Sequence, residues 1–297
     1  MAVFTGRNAT IRKILTIGYG VYRSTHNLPA HIERAVYDQL SCRTKHRGKH
    51  SEYCPDGHYV RSHYNSCHNR TCPQCSSLQL ERWLKKQEAH LIACDHYHAI
   101  FTIAHEFNGI WMNNKKVMTS ILFITARDTV FKLLVTGKYL KALPGIIGSL
   151  HTWTKTQLLH PHVHFLITGG GITPEGDRHP SKNGFLLSVK LAMKIFRTTF
   201  RWRVRKSYRK GELKLPPEIT RKEFAKMLVE TGRKKWNVYI EEKYSHGKGV
   251  LKYIVRYLKG GSISNQRVLK ITDTKVTISY KDSKDRESNG KSKKKKM

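Results

Sequence analysis

The stretch HPHVHFLITGGG, residues 160–171, decides how this chain folds. Successive side chains of a strand point to opposite faces. His160, His162 and His164 therefore share one face, while Val163, Phe165 and Ile167 form the core-facing row on the other. Imidazoles two residues apart on such a face stand roughly 7 Å apart at Cβ, so a divalent metal can sit between them. The glycines at 169–171 carry no Cβ and leave room for a backbone or ligand to come close.

Outward from this strand, HAIFTIAHEF (98–107) reads as a second strand, with Asn108-Gly109 as a turn after it. Residues 115–137 read as a helix. ALPGIIGSLHTWTKT (142–156) carries Pro and Gly breakers and reads as a connection into the histidine strand. Towards the N-terminus, residues 1–40 predict two helices. In LPAHIERAVYDQL, Leu28, Ile32, Val36 and Leu40 recur at helical spacing with Pro29 near the start. SSLQLERWLKKQEAHLIA (76–93) is a further helix, and another begins near residue 249 as GVLKYIVRYLKGG. KSKKKKM at the end has no folding pattern and reads as a solvated tail.

The charge is far from balanced. Lys and Arg number 55 against 21 Asp and Glu, a formal charge of +34 on 297 residues. Such an excess calls for a polyanion, and nucleic acid is the expected partner. No apolar run approaches the ~20 residues of a membrane span, and no signal peptide is apparent, so a cytoplasmic, nucleoid-associated protein is expected.

Five of the six cysteines lie between Cys42 and Cys75, which in such a chain suggests metal rather than disulfides. Cys72-Pro-Gln-Cys75 is a zinc knuckle, because a two-residue gap lets both thiolates reach one tetrahedral ion. Cys54 begins a second half, but Gly57 stands where a second Cys-x-x-Cys would need its cysteine. His58, Cys67 or His50 must complete the four, and the sequence leaves the choice open.

In LKYIVRYL, Leu251, Ile254, Val255 and Leu258 form an apolar helical stripe. Tyr253 and Tyr257, four residues apart, share a different face. Burial of the helix does not explain them. A tyrosine is a covalent nucleophile, and a metal held by histidines polarises a phosphoryl oxygen. Together they describe a phosphodiester transesterase.

The order of the Cys/His knuckle, FTIAHEFN, GSLHTW, HPHVHFLITGGG and YIVRYLKGGSISNQRVL resembles the two-tyrosine HUH transposases of the insertion sequence 91 type, from about Leu28 to Asp282. The resemblance implies that His162 and His164 bind Mg²⁺ or Mn²⁺. It implies that Tyr253 and Tyr257 cut single-stranded DNA at the ends of a mobile element and stay joined to the 5′ phosphate, as rolling-circle transposition requires. A third metal ligand is open among His105, Glu106, Gln157 and His160. Family members continue further past VTISYKD, which implies a short or truncated form. A replication initiator or relaxase of the same chemistry, and a zinc-dependent DNA-binding protein without catalysis, are the alternatives.

Finally, KIFRTTFRWRVRKSYRK (194–210) interleaves cations with aromatics, and Arg201, Trp202, Arg203, Arg205 and Lys206 are the expected DNA contacts. Cations track phosphates and aromatic faces stack bases. The expected fold is α+β. It comprises an N-terminal helical and zinc-binding module (1–90), an HUH nuclease domain (91–281) and a basic disordered tail (282–297). The resemblance implies that the nuclease sheet is antiparallel, ferredoxin- or RRM-like, with helices on one face.

Overall fold

The computed structural model describes residues 3–135, 139–154, 156–181, 186–240, 251, 262–286 and 292–297. The chain begins with β1 (Phe4–Thr5), α1 (Ile11–Thr25) and α2 (Ala30–Ser41). Thr10 caps α1 by accepting from Lys13 N, and Pro29 stands at the N-cap of α2. A hairpin follows, β2 (Lys49–Tyr53) paired antiparallel with β3 (Val60–Tyr64), and then α3 (Ser76–Glu88).

The elements that carry the histidines come next: β4 (His96–Thr102), α4 (Asn108–Asn113), α5 (Lys115–Leu134), β5 (Leu143–Trp153), β6 (Leu159–Ile172), β7 (Arg178–Pro180), α6 (Val189–Arg209), α7 (Arg221–Arg233) and β8 (Val238–Ile240). The strands form an antiparallel sheet in the order β5-β6-β4-β8, with β7 also on β6. Its apolar face carries Phe101, Val163, Phe165 and Ile167 and is packed with α5 and α6. Phe196 and Phe200 of α6 stack edge-on against Phe101, Phe107 and Trp236, which fixes that helix to the sheet. α7 starts with a capping box, Thr220 accepting from Glu223 N while the Glu223 carboxylate accepts from Thr220 N.

Two local expectations are corrected here. Asn108-Gly109 opens α4 rather than a turn, with Asn108 anchored by its side-chain amide to Leu159 O at 3.1 Å. The stretch 142–156 holds an eleven-residue strand, β5, despite its breakers. Gly148 is there for packing. A Cβ on it would meet the Phe165 ring at 2.7 Å and the Phe123 ring at 3.0 Å. Glycine in this strand is a site of close approach, not an interruption.

The last strands are β9 (Val268–Ile271), β10 (Val276–Arg286) and β11 (Ser292–Lys296), giving a second antiparallel sheet in the order β1-β9-β10-β11. The division of the chain therefore differs from the expected boundaries. One unit comprises Met1–Trp83, Lys155–Gln157 and Lys259–Met297; the other comprises Leu84–Thr154 and Leu158–Leu258. The long-range pairing of Phe4 with Ile271 ties the two chain ends into one unit. Ile11 N donates to Asn265 Oδ1 at 2.9 Å across the same junction. The expected disordered tail includes β11, whose backbone pairs with β10 while Lys293 and Lys295 flank Asp285. Lysines suit an edge strand, where backbone pairing asks nothing of the side chains. Among the described residues, no helix is long and apolar enough to cross a membrane.

Candidate functional site

The face of the first sheet opposite its core is lined with imidazoles. His162 pairs in register with His151 of β5 and Thr102 of β4; His164 pairs with Ser149 and Ile100. Cross-strand partners share a face. The register therefore brings His151, His162 and His164 together, and one ligand nitrogen from each lies within 4.8 Å of the others. His151 Nδ1 is 2.9 Å from His162 Nε2. All three are buried, at 8%, 8% and 2% exposure.

Two contacts orient these rings. His162 Nδ1 lies 2.6 Å from the His160 carbonyl, which can only accept, so Nδ1 carries the proton and Nε2 keeps its lone pair. His98 on β4, itself 1% exposed, places Nε2 2.8 Å from His164 Nδ1 with the two rings stacked. A partner on the far nitrogen of a ligand imidazole fixes the orientation of its ring, and His98 takes that position for His164. Burial, reinforced by the neighbouring imidazoles, depresses His151 to about 3, His162 to about 4 and His164 to about 2. Three neutral imidazoles in a dry site form a donor set ready for a divalent cation.

The residues left open as a third ligand lie outside this group. Glu106 pairs with Lys234 and His105, and Gln157 Nε2 donates to Ser262 O at 3.4 Å. His160 contributes its carbonyl to orienting His162. His151 was missed because its segment read as a connection. The signal available was the alternation of Ser149, His151 and Trp153, a period of two running through the breakers. Tyr253 and Tyr257 lie outside the described residues.

A second cluster gathers Cys42, Cys67, Cys72 and Cys75, with all four sulfurs within 4.8 Å of one another. Cys67 Sγ and Cys75 Sγ are 3.6 Å apart, close to the ~3.8 Å between thiolates bound at about 2.3 Å to a tetrahedral ion. Cys42 and Cys72 are fully buried and Cys75 nearly so. Arg43 and His68, each just after a cluster cysteine, both have φ of 54°. The turn after Cys67 lets Asn69 N donate to its sulfur at 3.4 Å. Burial pushes Cys67 up strongly and Cys72 to about 11. At Cys42 burial acts the same way but is outweighed by hydrogen bonds from the other three cysteines, so its thiol is held below the usual value. Asp38 of α2 ties the Cys67 loop down, accepting from Asn69 at 2.9 Å and pairing with Arg47.

Of the candidates the sequence offers, Cys67, Cys72 and Cys75 belong to this cluster, and Cys54, His58 and His50 do not. Cys42, at the end of α2, joins Cys67, Cys72 and Cys75. Cys54 and His58 instead sit together at the tip of the β2–β3 hairpin, with Asp56. Twenty-nine residues separate Cys42 from the knuckle, so no spacing pattern announces it.

On α6, Ala192, Phe196, Phe200 and Val204 face the core. Eight Lys and Arg and no acidic residue make up the charge of this helix. Two of the expected DNA contacts are engaged within the protein. Arg201 Nε donates to Leu228 O at 2.6 Å, and Arg203 donates to Thr125 Oγ1 at 3.1 Å and to Asp128 at 2.5 Å. Trp202 is exposed, with Lys206 Nζ 4.8 Å from its ring centre. Trp202, Arg205, Tyr208, Arg209 and Arg221 line an open groove of about 440 Å³ between α6 and α7.

Residues 145–297 match the family model described as "Putative transposase", and residues 14–103 match the "Transposase zinc-binding domain". The first match alone spans more than half of the chain. The chain belongs to this transposase family. "Putative transposase y4qJ" of Sinorhizobium fredii is 31% identical to it over 89% of the chain and 68% of its own length. The transposase for insertion sequence element IS801 of Pseudomonas savastanoi pv. phaseolicola is 26% identical, over 76% of this chain and 53% of its own. Among solved structures, the conjugative relaxase TrwC in complex with oriT DNA aligns with 54% of this chain and 68% of its own, at 9% identity and a TM-score of 0.30. The histidine cluster lies wholly inside the transposase match and the four-cysteine cluster inside the zinc-binding match.

Proposed function

We propose that this transposase cuts and rejoins single-stranded DNA at the ends of its mobile element through a covalent tyrosine intermediate, the strand chemistry of rolling-circle transposition. The observation that carries the reading is the buried His151, His162 and His164 cluster within the segment matched to transposases. Three neutral imidazoles fit a divalent first-row ion. Of the two expected ions, Mn²⁺ suits nitrogen donors better than Mg²⁺, which prefers oxygen. When bound, the cation supplies positive charge to the scissile phosphate.

The chain's own residues do the rest. His160 O and His98 hold the ligand rings. Tyr253 or Tyr257 attacks phosphorus through its phenolic oxygen. The bond from phosphorus to the 3′ oxygen breaks, that oxygen leaves as a 3′-OH, and the 5′ phosphate remains on tyrosine. The diester bond is exchanged rather than hydrolysed, so rejoining needs no nucleotide triphosphate. Zinc in the four-cysteine cluster would fold the N-terminal module. Trp202, Arg205 and Lys206 would hold the strand by stacking and charge, with Arg201 and Arg203 bracing α6 behind them.

The test is incubation with single-stranded oligonucleotides spanning the DNA that flanks the gene, plus Mn²⁺ or Mg²⁺, followed by a denaturing gel. A protein–DNA adduct that needs metal and disappears in the Tyr253→Phe/Tyr257→Phe and His162→Ala/His164→Ala chains is expected. Salt-sensitive DNA binding without any adduct would refute catalysis and leave a DNA-binding protein.

A further inference from the structure

The tip of the β2–β3 hairpin carries a second group of metal donors, separate from the four cysteines. The turn reads Cys54-Pro55-Asp56-Gly57-His58. Cys54 Sγ lies 3.5 Å from His58 Nδ1 and 4.0 Å from Asp56 Oδ2, and the three donor atoms all fall within 4.8 Å of one another. A thiolate at about 2.3 Å and an imidazole nitrogen at about 2.0 Å on one tetrahedral ion stand about 3.5 Å apart. The donors are thus already spaced for a shared cation.

The backbone is built to hold them so. Cys54 N donates to Tyr59 O at 3.0 Å, closing the loop, and Gly57 N donates to Cys54 O at 2.9 Å. Gly57 has φ of +76°, a conformation that side-chain-bearing residues rarely adopt. It reverses the chain so that the residues on either side face the same sulfur.

The hairpin also needs a fastening. All five residues of Lys49–Tyr53 are exposed, and of Val60–Tyr64 only His63 is half-buried. Beyond the backbone ladder, side-chain support comes from the Ser51–Ser62 hydroxyl contact at 2.7 Å, the tilted His50–His63 ring pair and the 2.8 Å contact of His50 Nδ1 with Asn65 Oδ1. A two-stranded hairpin without an apolar face is marginal in water. Its tip is where a clip removes the most freedom from the strands.

We propose that Cys54, Asp56 and His58 form a second metal site, a three-donor clip for a zinc-class divalent ion that leaves the fourth position to water. One thiolate, one imidazole and one carboxylate suit an ion of borderline softness, and the mixed set should bind more weakly than four thiolates. The proposal is independent of the strand-cutting reading, since it concerns only how the hairpin is held.

The test uses the whole chain carrying His162→Ala/His164→Ala, so that the histidine cluster does not contribute. Metal content after zinc loading is measured by mass spectrometry, and the Co²⁺-loaded chain is followed by absorption. Two zinc equivalents per chain are expected. Cys54→Ser and His58→Ala should each bring this to one, and His58→Cys should restore two. The thiolate-to-Co²⁺ band should fall by about one fifth in Cys54→Ser, one thiolate of five being lost. Proteolysis between Tyr53 and Val60 should quicken in the zinc-loaded His58→Ala chain relative to its zinc-loaded parent. If Cys54→Ser removed all metal by unfolding the module, His58→Ala and His58→Cys would still decide. Unchanged metal content in His58→Ala overturns the proposal and leaves Cys54 and His58 as a hydrogen-bonded thiol–imidazole pair.

Discussion

Replacing Gly148 with alanine tests whether β5 is held where the histidine cluster requires it. The added methyl would stand 2.7 Å from one Phe165 ring carbon and 3.0 Å from both another Phe165 carbon and a Phe123 carbon. Carbon atoms rest about 3.5–4.0 Å apart, so the rings or the strand must yield by roughly 0.8 Å. Phe165 is 2% exposed and packed between Phe101 and the half-buried Phe123, so the Phe165 ring, the nearer of the two, has no free space to enter. Overpacking of this kind costs about 1–3 kcal/mol. Alanine recovers about 0.5–1 kcal/mol of the entropy that glycine loses in a strand. A net loss of about 1 kcal/mol, and at most about 2.5 kcal/mol, remains. With an m-value of about 2 kcal/mol/M, the middle of the usual range, the urea midpoint should fall by roughly 0.5 M and at most about 1.2 M. Tryptophan fluorescence reports it, since Trp111, Trp153, Trp202 and Trp236 all lie in the unit that contains β5. Gly18→Ala on α1, where a Cβ would meet nothing within 4 Å, is the control and should be neutral or stabilising. Because Ser149 and His151 follow directly on the strand, Gly148→Ala should also weaken divalent-metal binding. A Gly148→Ala chain as stable as its parent, with metal affinity intact, would refute the packing account of β5.

Three further outcomes follow from the same geometry. His151→Ala should reduce affinity for Mn²⁺ by on the order of 100-fold, outer-shell losses alone costing about 10–100-fold, whereas His160→Ala, which keeps its carbonyl, should change titration-calorimetry affinities far less. The metal-free chain should lose thermal stability as pH falls from 7 to 5: His151, His162 and His164 are held to about 3, 4 and 2 when folded but take up protons near pH ~6.5 when unfolded. Their stabilising effect is complete above that value and is lost on acidification; a melting temperature flat across the window would show the imidazoles to be more solvated than their burial implies. Trp202→Ala should weaken single-stranded DNA binding by roughly 1–3 kcal/mol with little change in salt slope, while Arg205→Gln should reduce the slope by about 0.7; fluorescence anisotropy across a salt series separates the two.

Some of this protein is legible in its sequence alone. The alternation in 160–171 placed His162 and His164 on one face of a strand and Val163, Phe165 and Ile167 in the core, because a strand's two-residue period is a local property. The helical readings of 1–40, 76–93 and 115–137 located α1, α2, α3 and α5 for the same reason, and Cys72-Pro-Gln-Cys75 needed only its own spacing to suggest a metal knuckle. Tertiary structure decided what depends on distant partners. His151 reaches the cluster through the register between β5 and β6. Cys42 reaches the knuckle because α2 ends beside it, and takes the place expected for Cys54, while Cys67 fills the position left open. Arg201 and Arg203 were indistinguishable from Trp202 and Arg205 as surface contacts until α7 and α5 supplied their partners. The pairing of β1 with β9, which joins the two ends of the chain, left no local trace, since backbone pairing is set by hydrogen bonds common to every residue. Local periodicity therefore settles which way a side chain points, and only the pairing of remote segments settles what it meets.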